Sequence, residues 1–215
     1  MLKRLLRNHH VILASQSPRR KKILIENGGL EYEKDFFVMH SEFDEKSLDK
    51  KSFPTPKDFV IENSRLKALQ VFNACKNSKE NLIVIGSDSV VVYEEHILEK
   101  PVNEMDAVNM LQMLSGNTHR VLSGVSIYIK TGDEEQLVTF AAETTVLFDT
   151  LTLDHIKEYI ETGEPFDKAG AYGIQDLGAA FVKSIEGDYH TVMGLPYHLL
   201  YTNLRRVLSN DNNKY

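Results

Sequence analysis

The sequence predicts an α/β domain built on a mixed, twisted sheet with flanking helices. Three observations predict it. Val11-Ile12-Leu13-Ala14 and Leu82-Ile83-Val84-Ile85 are continuously apolar, the pattern of central strands buried on both faces. Well-marked helix starts alternate with these runs. Two further strand-like runs, 121–130 and 137–148, flank the turn Thr131-Gly132-Asp133-Glu134, and a hairpin there makes the sheet mixed.

Each element has a local reason. The start, MLKRLLRNHH, is short and basic, with no apolar stretch and small-residue cleavage site after it, so it reads as a frayed terminus rather than the remnant of a targeting helix. After the first strand, Ser15-Gln16-Ser17-Pro18 forms a polar turn that starts a helix, with a hydroxyl at N-cap and proline at N1. Asn27-Gly28-Gly29 stops that helix. The charged segment 44–56 reads as the least ordered internal stretch, and Thr55-Pro56 opens the next helix. Gly86-Ser87-Asp88-Ser89 reads as a polar turn ending the second apolar strand. Asn103 and Thr152 are caps for helices near 104–114 and 153–161. Two glycine-punctuated loops follow, at 164–175 and 186–196, and the polar tail SNDNNKY frays. No repeat or long linker divides the chain, so residues 1–215 read as one domain with its core at about 11–208.

Composition excludes several classes. With 42% apolar and 26% charged residues the chain is globular rather than disordered. No apolar run approaches the roughly 20 residues that span a bilayer, so no membrane association is expected. A net charge of -6 argues against binding a nucleic-acid polymer, though not against a small anion. Cys75 is the one cysteine, which fits a reducing, cytoplasmic setting. The eight histidines match no zinc spacing, and neither a Walker loop nor a Gly-x-Ser-x-Gly elbow is present. A hard cation such as Mg2+ held by carboxylates and substrate phosphate remains compatible.

Two stretches attract chemistry. In VILASQSPRRKKIL, a helix N-terminus follows a buried strand, where unpaired N–H groups and about half a positive charge attract phosphate. Arg19 or Arg20 can grip phosphate oxygens, Arg20 can instead pack locally, and Lys21 and Lys22 face water. In LIVIGSDSVV, Asp88 follows an apolar strand, either as a ligand or metal group or as a turn aspartate making local hydrogen bonds. Lys100 before Pro101 and the glycines around Lys168, Tyr172 and Gln175 are uninformative alone.

Taken in order, LASQSPRRKKIL, SEFDEK, KALQV, VIGSDSVV, EKP, LSGNTHRV, YIETGEPFDKAGAYGIQ and GDYHTVMGLP resemble the Maf family of nucleoside triphosphate pyrophosphatases over about residues 11–208. They are also similar to the Maf-type domain of acetylserotonin methyltransferase-like proteins. The resemblance implies a Maf / inosine triphosphatase-like fold with a central cleft, often a homodimer. It also implies hydrolysis between the α and β phosphates with a divalent cation, Mg2+ or Mn2+.

By this resemblance the catalytic acid falls on Asp88, and the acid of the second segment on Glu45, with Asp44 beside it. Both carboxylates would hold the metal. The lysines fall on Lys67 and Lys100, and the phosphate site on Ser15, Ser17 and Arg19, with Arg20 assisting. Ser87-Asp88-Ser89 stands where the family usually has Ala-Asp-Thr, so the substrate-side hydroxyl is kept at Ser89. KAGAYGIQ resembles the subgroup acting on dTTP and UTP, with Gln175 at its specificity position. An amide can pair with the imide edge of uracil or thymine, though it can also turn over to match cytosine.

The expected mechanism is in-line attack by a water that Asp88 orients and deprotonates, with Arg19, Lys67 and Lys100 balancing triphosphate charge. Two alternatives stand beside it: the same chemistry on a modified or methylated nucleotide, and a nucleotide-binding regulator of cell division that hydrolyses weakly.

Overall fold

The computed structural model describes residues 1–211. In chain order it contains α1 (Leu2–Leu6), β1 (His10–Ala14), α2 (Pro18–Glu26), β2 (Phe37–Val38), α3 (Pro56–Cys75), β3 (Asn81–Tyr93), β4 (His96–Leu98) and α4 (Glu104–Leu114). There follow β5 (Thr118–Thr131), β6 (Glu134–Phe148), α5 (Leu153–Glu161), β7 (Val182–Glu186), α6 (Tyr189–Met193) and α7 (Tyr197–Asp211). Seven strands form one mixed sheet in the order β2-β1-β3-β5-β6-β7, with β4 on β3. β1 runs parallel to β2 and β3, whereas β3 and β4, like β6 and β7, run antiparallel. The expected mixed α/β fold is therefore present, and Gly132 turns the chain between β5 and β6 with φ 58°.

The chain divides into two units. The first holds Met1–Asp88, Gly124–Ala141 and the chain from Gly194; the second holds Ser89–Ser123 and Ala142–Met193. In the first unit, Ile12, Ala14, Leu82 and Val84 of the parallel pair bury against Ala68, Val71 and Phe72 of α3. Burying each large side chain of this kind contributes about 1.5–3 kcal/mol. Phe72 stacks on Tyr128 with ring centroids 5.1 Å apart. Thr55 caps α3 by accepting from the Asp58 amide at 3.2 Å, as its place before Pro56 predicts.

In the second unit, α4 and α5 bury Ala107, Leu111, Leu114, Ile156 and Tyr159 with Val146, Phe148 and Phe181. Asn103 and Thr152 cap these helices through the Asp106 and His155 amides. His119 sits inside an aromatic cluster, edge-on to Phe148 and Tyr172.

The structure departs from the sequence expectations in several places. The start is not frayed: α1 buries Leu2 and Leu6, and Lys3 pairs with Glu31 and Asp35 at 2.6 and 2.8 Å. The charged segment 44–56 is ordered into two short 3-10 turns, Glu45–Ser47 and Lys50–Ser52, the second capped by Asp49. Gly86-Ser87-Asp88-Ser89 is no turn, because β3 runs straight through it to Tyr93. Gly86 allows this: a Cβ there would lie 2.4 Å from the Ser64 carbonyl oxygen of α3. The loop 186–196 contains α6. Finally, α7 extends into the polar tail as far as Asp211, while residues 212–215 lie outside the described residues.

Candidate active site

The first unit gathers most of the residues singled out above, and the sheet register explains why. Ala14 is paired with Gly86 across the parallel β1–β3 ladder. The chain leaving β1 at Ser15 is thus level with the stretch of β3 that carries Ser87 and Asp88. Ser15 is buried, and its Oγ accepts from the Ser17 amide at 3.2 Å and from Arg20 Nη1 at 3.1 Å. Arg20 Nε donates to the Gly194 carbonyl at 2.8 Å. Ser87 Oγ lies 2.9 Å from the same oxygen and 3.0 Å from the Gly124 carbonyl, so its one proton is shared between two acceptors. A connected polar network therefore runs from the α2 turn to the residue preceding Asp88.

Asp88 is only 7% exposed. It is held by Lys67 of α3, whose Nζ lies 3.2 Å from Asp88 Oδ1 and 2.8 Å from Glu45 Oε1. Isolated buried charges are prohibitively costly, so a carboxylate and an ammonium at these depths must be paired. Lys67 reaches both acids because its helix lies against the sheet at Gly86, while Glu45 begins the first 3-10 turn. Burial draws the Arg20 guanidinium below its ordinary pKa; Asp88 and Glu45 act against this, and Arg19 reinforces it. Arg20 thus feels the field of both carboxylates.

The α2 terminus differs in detail from expectation. Ser17 occupies the N-cap with extended backbone (φ -70°, ψ 117°), but its hydroxyl makes no bond into the helix. The first turn carries no acid and places Arg19, half-buried, beside Arg20. Lys21 does not simply face water: its Nζ lies 3.1 Å from the Tyr32 ring centroid, a cation–π contact. Lys22 is exposed, 3.8 Å from Glu26.

Ser89, Lys100 and Gln175 belong to the second unit. The Ser89 and Ser123 hydroxyls are 2.7 Å apart, and Ser123 donates on to the Thr191 carbonyl at 2.8 Å. Lys100 is exposed. Gln175 is half-buried and its Nε2 donates to Asp176. The glycines of this loop are explained by packing within the unit, since Cβ atoms at Gly170 and Gly173 would lie 2.6 Å from Val91 and 2.5 Å from Lys168. A cavity of about 420 Å3 in this unit, walled by Leu151, His155, Tyr159, Leu177 and Phe181, contains none of the site residues read from the sequence.

Sequence reasoning missed the Gly194 carbonyl and Ser87 as parts of the network. A backbone acceptor leaves no residue-type signal, and Ser87 was hidden by the reading of its neighbours as a turn.

Among the described residues, no group of three or more histidine, cysteine or acidic side chains forms a metal cage. Asp88 and Glu45 are two hard oxygen donors facing one ammonium. Such a pair fits Mg2+ or Mn2+ completed by substrate phosphate oxygens, the way Mg2+ is commonly held.

Comparison with known proteins agrees with the family resemblance. The Maf-like protein family model matches residues 10–207. The chain is 48% identical over 191 residues to a dTTP/UTP pyrophosphatase of Clostridium perfringens, covering 89% of this chain and 93% of that one. It is 43% identical over 196 residues to a dTTP/UTP pyrophosphatase of Bacillus cereus, covering 91% and 94%. It is 45% identical over 192 residues to a human protein named probable bifunctional dTTP/UTP pyrophosphatase/methyltransferase protein, covering 86% of this chain and 30% of that one. A match across nearly the whole length places the chain in the Maf family.

Proposed function

We propose that this chain is a nucleoside triphosphate pyrophosphatase that hydrolyses dTTP and UTP to the monophosphate and pyrophosphate. The observation that carries the reading is Lys67, which joins two carboxylates, one of them almost fully buried, in the unit that also places Arg19 and Arg20 on a helix N-terminus. The full-length relatives named for this activity support the substrate class.

The reaction needs a water aligned with the α–β phosphoanhydride bond, a group to take its proton, and positive charge for the departing pyrophosphate. Asp88 accepts the proton as the water oxygen bonds to phosphorus and the bridging P–O bond breaks. The α2 terminus, with Ser15, Ser17 and Arg19, binds phosphate oxygens, while Arg20 holds Ser15 in place. Lys67 keeps Asp88 and Glu45 together and offsets phosphate charge. Lys100 adds charge, and Ser89 and Gln175 contact the substrate, Gln175 at the base. Asp88 and Glu45 would hold the divalent cation, which when bound neutralises phosphate charge and polarises the reacting phosphoryl group.

Homodimer formation and a cytoplasmic setting belong to the same proposal. Among the described residues no helix is long and apolar enough to cross a membrane. The test is pyrophosphate release from a panel of purine and pyrimidine triphosphates with Mg2+, Mn2+ or chelator, together with the mass of the native species by light scattering. Equal rates on purine and pyrimidine substrates would overturn the subgroup assignment. Tight dTTP binding without turnover would support a nucleotide-binding regulator instead.

A further inference from the structure

The loop that carries Gln175 is tied down by one carboxylate. Glu164 Oε1 accepts from the Tyr159 hydroxyl at 2.7 Å and from the Gly178 amide at 3.1 Å, and its Oε2 accepts from the Leu177 amide at 3.0 Å. The Tyr159 oxygen in turn accepts from the Gly173 amide at 3.3 Å. Residues 173, 177 and 178 are thus fastened on both sides of Gln175 to a single Tyr–Glu pair. The pair is itself anchored. The Tyr159 ring packs edge-on against Phe181 with centroids 4.8 Å apart, and Lys168, buried, donates to the Glu164 carbonyl at 2.8 Å. Burial first, and Glu164 second, raise the Tyr159 pKa, so its hydroxyl remains a donor.

We propose that Glu164, with Tyr159, is a specificity-positioning residue: it fixes the backbone on either side of Gln175 and thereby sets the orientation of the amide that reads the base. This deepens the pyrophosphatase reading and rests on it. The chemistry favours a carboxylate here. Two consecutive backbone N–H groups and a phenol converge on it, and charge-assisted hydrogen bonds are about twice as strong as neutral ones. A glutamine would offer one acceptor oxygen for three donors, so its amide N–H2 would face either the Leu177 amide or the Tyr159–Gly178 pair. The clamp would loosen without loss of side-chain volume. An amide able to turn would then match cytosine as readily as uracil or thymine.

The test compares full-length wild type, Glu164→Gln, Tyr159→Phe and Gln175→Ala, each with Mg2+, on dTTP, UTP and dCTP, alongside thermal unfolding. The expected result for Glu164→Gln is a roughly 10-fold fall in the kcat/KM ratio of dTTP to dCTP, arising mainly in KM, with Gln175→Ala moving the same ratio. Tyr159→Phe should shift it in the same direction and carries the test if Glu164→Gln does not fold. Even loss on all three substrates in both Glu164→Gln and Tyr159→Phe would overturn the proposal, as would a wild-type ratio in both while Gln175→Ala changes it. An unchanged ratio in Gln175→Ala would overturn base reading by Gln175 and this proposal with it. Absence of wild-type turnover would overturn the enzymatic reading itself.

Discussion

Lys67 Nζ lies 3.2 Å from Asp88 Oδ1, joining the middle of α3 to the middle of β3 where both side chains are about nine-tenths buried. The contact matters because neither charge could be tolerated alone at that depth. Lys67 also holds Glu45 at 2.8 Å, from a segment 22 residues earlier in the chain. One ammonium thereby fixes the acid proposed to take the proton and the acid proposed to share the cation.

Asp88→Asn keeps the shape and removes the proton acceptor. A lost general base lowers turnover by about 10²–10⁴-fold. The expected outcome is that loss in kcat for dTTP, with a much smaller change in KM and only modest destabilisation, since Lys67 retains Glu45. Steady-state pyrophosphate release and urea unfolding check both halves. Unchanged turnover would remove Asp88 from the proton-accepting role and shift attention to Glu45 and Asp44.

Arg19 and Arg20 are adjacent yet should fail differently. Arg20 is buried and bonded to Ser15 and Gly194, so Arg20→Met should cost stability, about 1–3 kcal/mol for the lost buried hydrogen bonds. Arg19 stands half-buried in the first turn of α2, so Arg19→Ala should leave the unfolding midpoint near wild type and raise KM for the triphosphate about 10-fold. Equal KM and midpoint changes in both variants would contradict this division.

These residues also show where the sequence was readable. The apolar runs marked β1 and the start of β3, and Thr55, Asn103 and Thr152 marked three helix starts, because caps and burial patterns are local signals. The continuation of β3 past Gly86 was not readable. Gly-Ser-Asp-Ser has the composition of a turn, and it stays extended only through distant partners: Ser64 packed over Gly86, and the Gly124 and Gly194 carbonyls beside Ser87. The same holds for α1, whose leucines show their purpose only once they are buried. For the candidate site, ordered motifs were enough to nominate Ser15, Arg20, Glu45, Lys67 and Asp88, but not to reveal that Arg20 braces Ser15. The Glu164 clamp was equally hidden, since its partners are mostly backbone amides.

Gly86→Val tests the close approach that keeps β3 straight. A Cβ at this position would sit 2.4 Å from the Ser64 carbonyl oxygen and 2.8 Å from the Ala68 Cβ. Backbone cannot yield as a side chain can, so overpacking here should destabilise by about 1–3 kcal/mol or more. Because Lys67 lies on the helix that such a side chain would displace, kcat should fall as well. Urea unfolding with parallel kinetics checks this; wild-type stability would mean that α3 and β3 can separate freely.

His119 gives the fold a defined response to acid. Its ring is buried among Phe148 and Tyr172, its Nε2 is 2.8 Å from the Tyr172 hydroxyl, and its Nδ1 has no hydrogen-bond partner. Burial pushes its pKa from 6.5 down to about 4. The unfolded chain therefore takes up a proton below pH 6.5 that the folded ring refuses. The associated stability is complete above pH 6.5, declines as pH falls toward 4, and levels off below that. At pH 5 the loss is about 2 kcal/mol, at 1.36 kcal/mol for each pH unit below 6.5. Urea unfolding of wild type and His119→Gln at pH 7.5 and pH 5 separates this from other titrating groups. The wild type should lose about 2 kcal/mol more than the variant across that interval. Parallel losses would mean that the folded protein accommodates a protonated ring at His119.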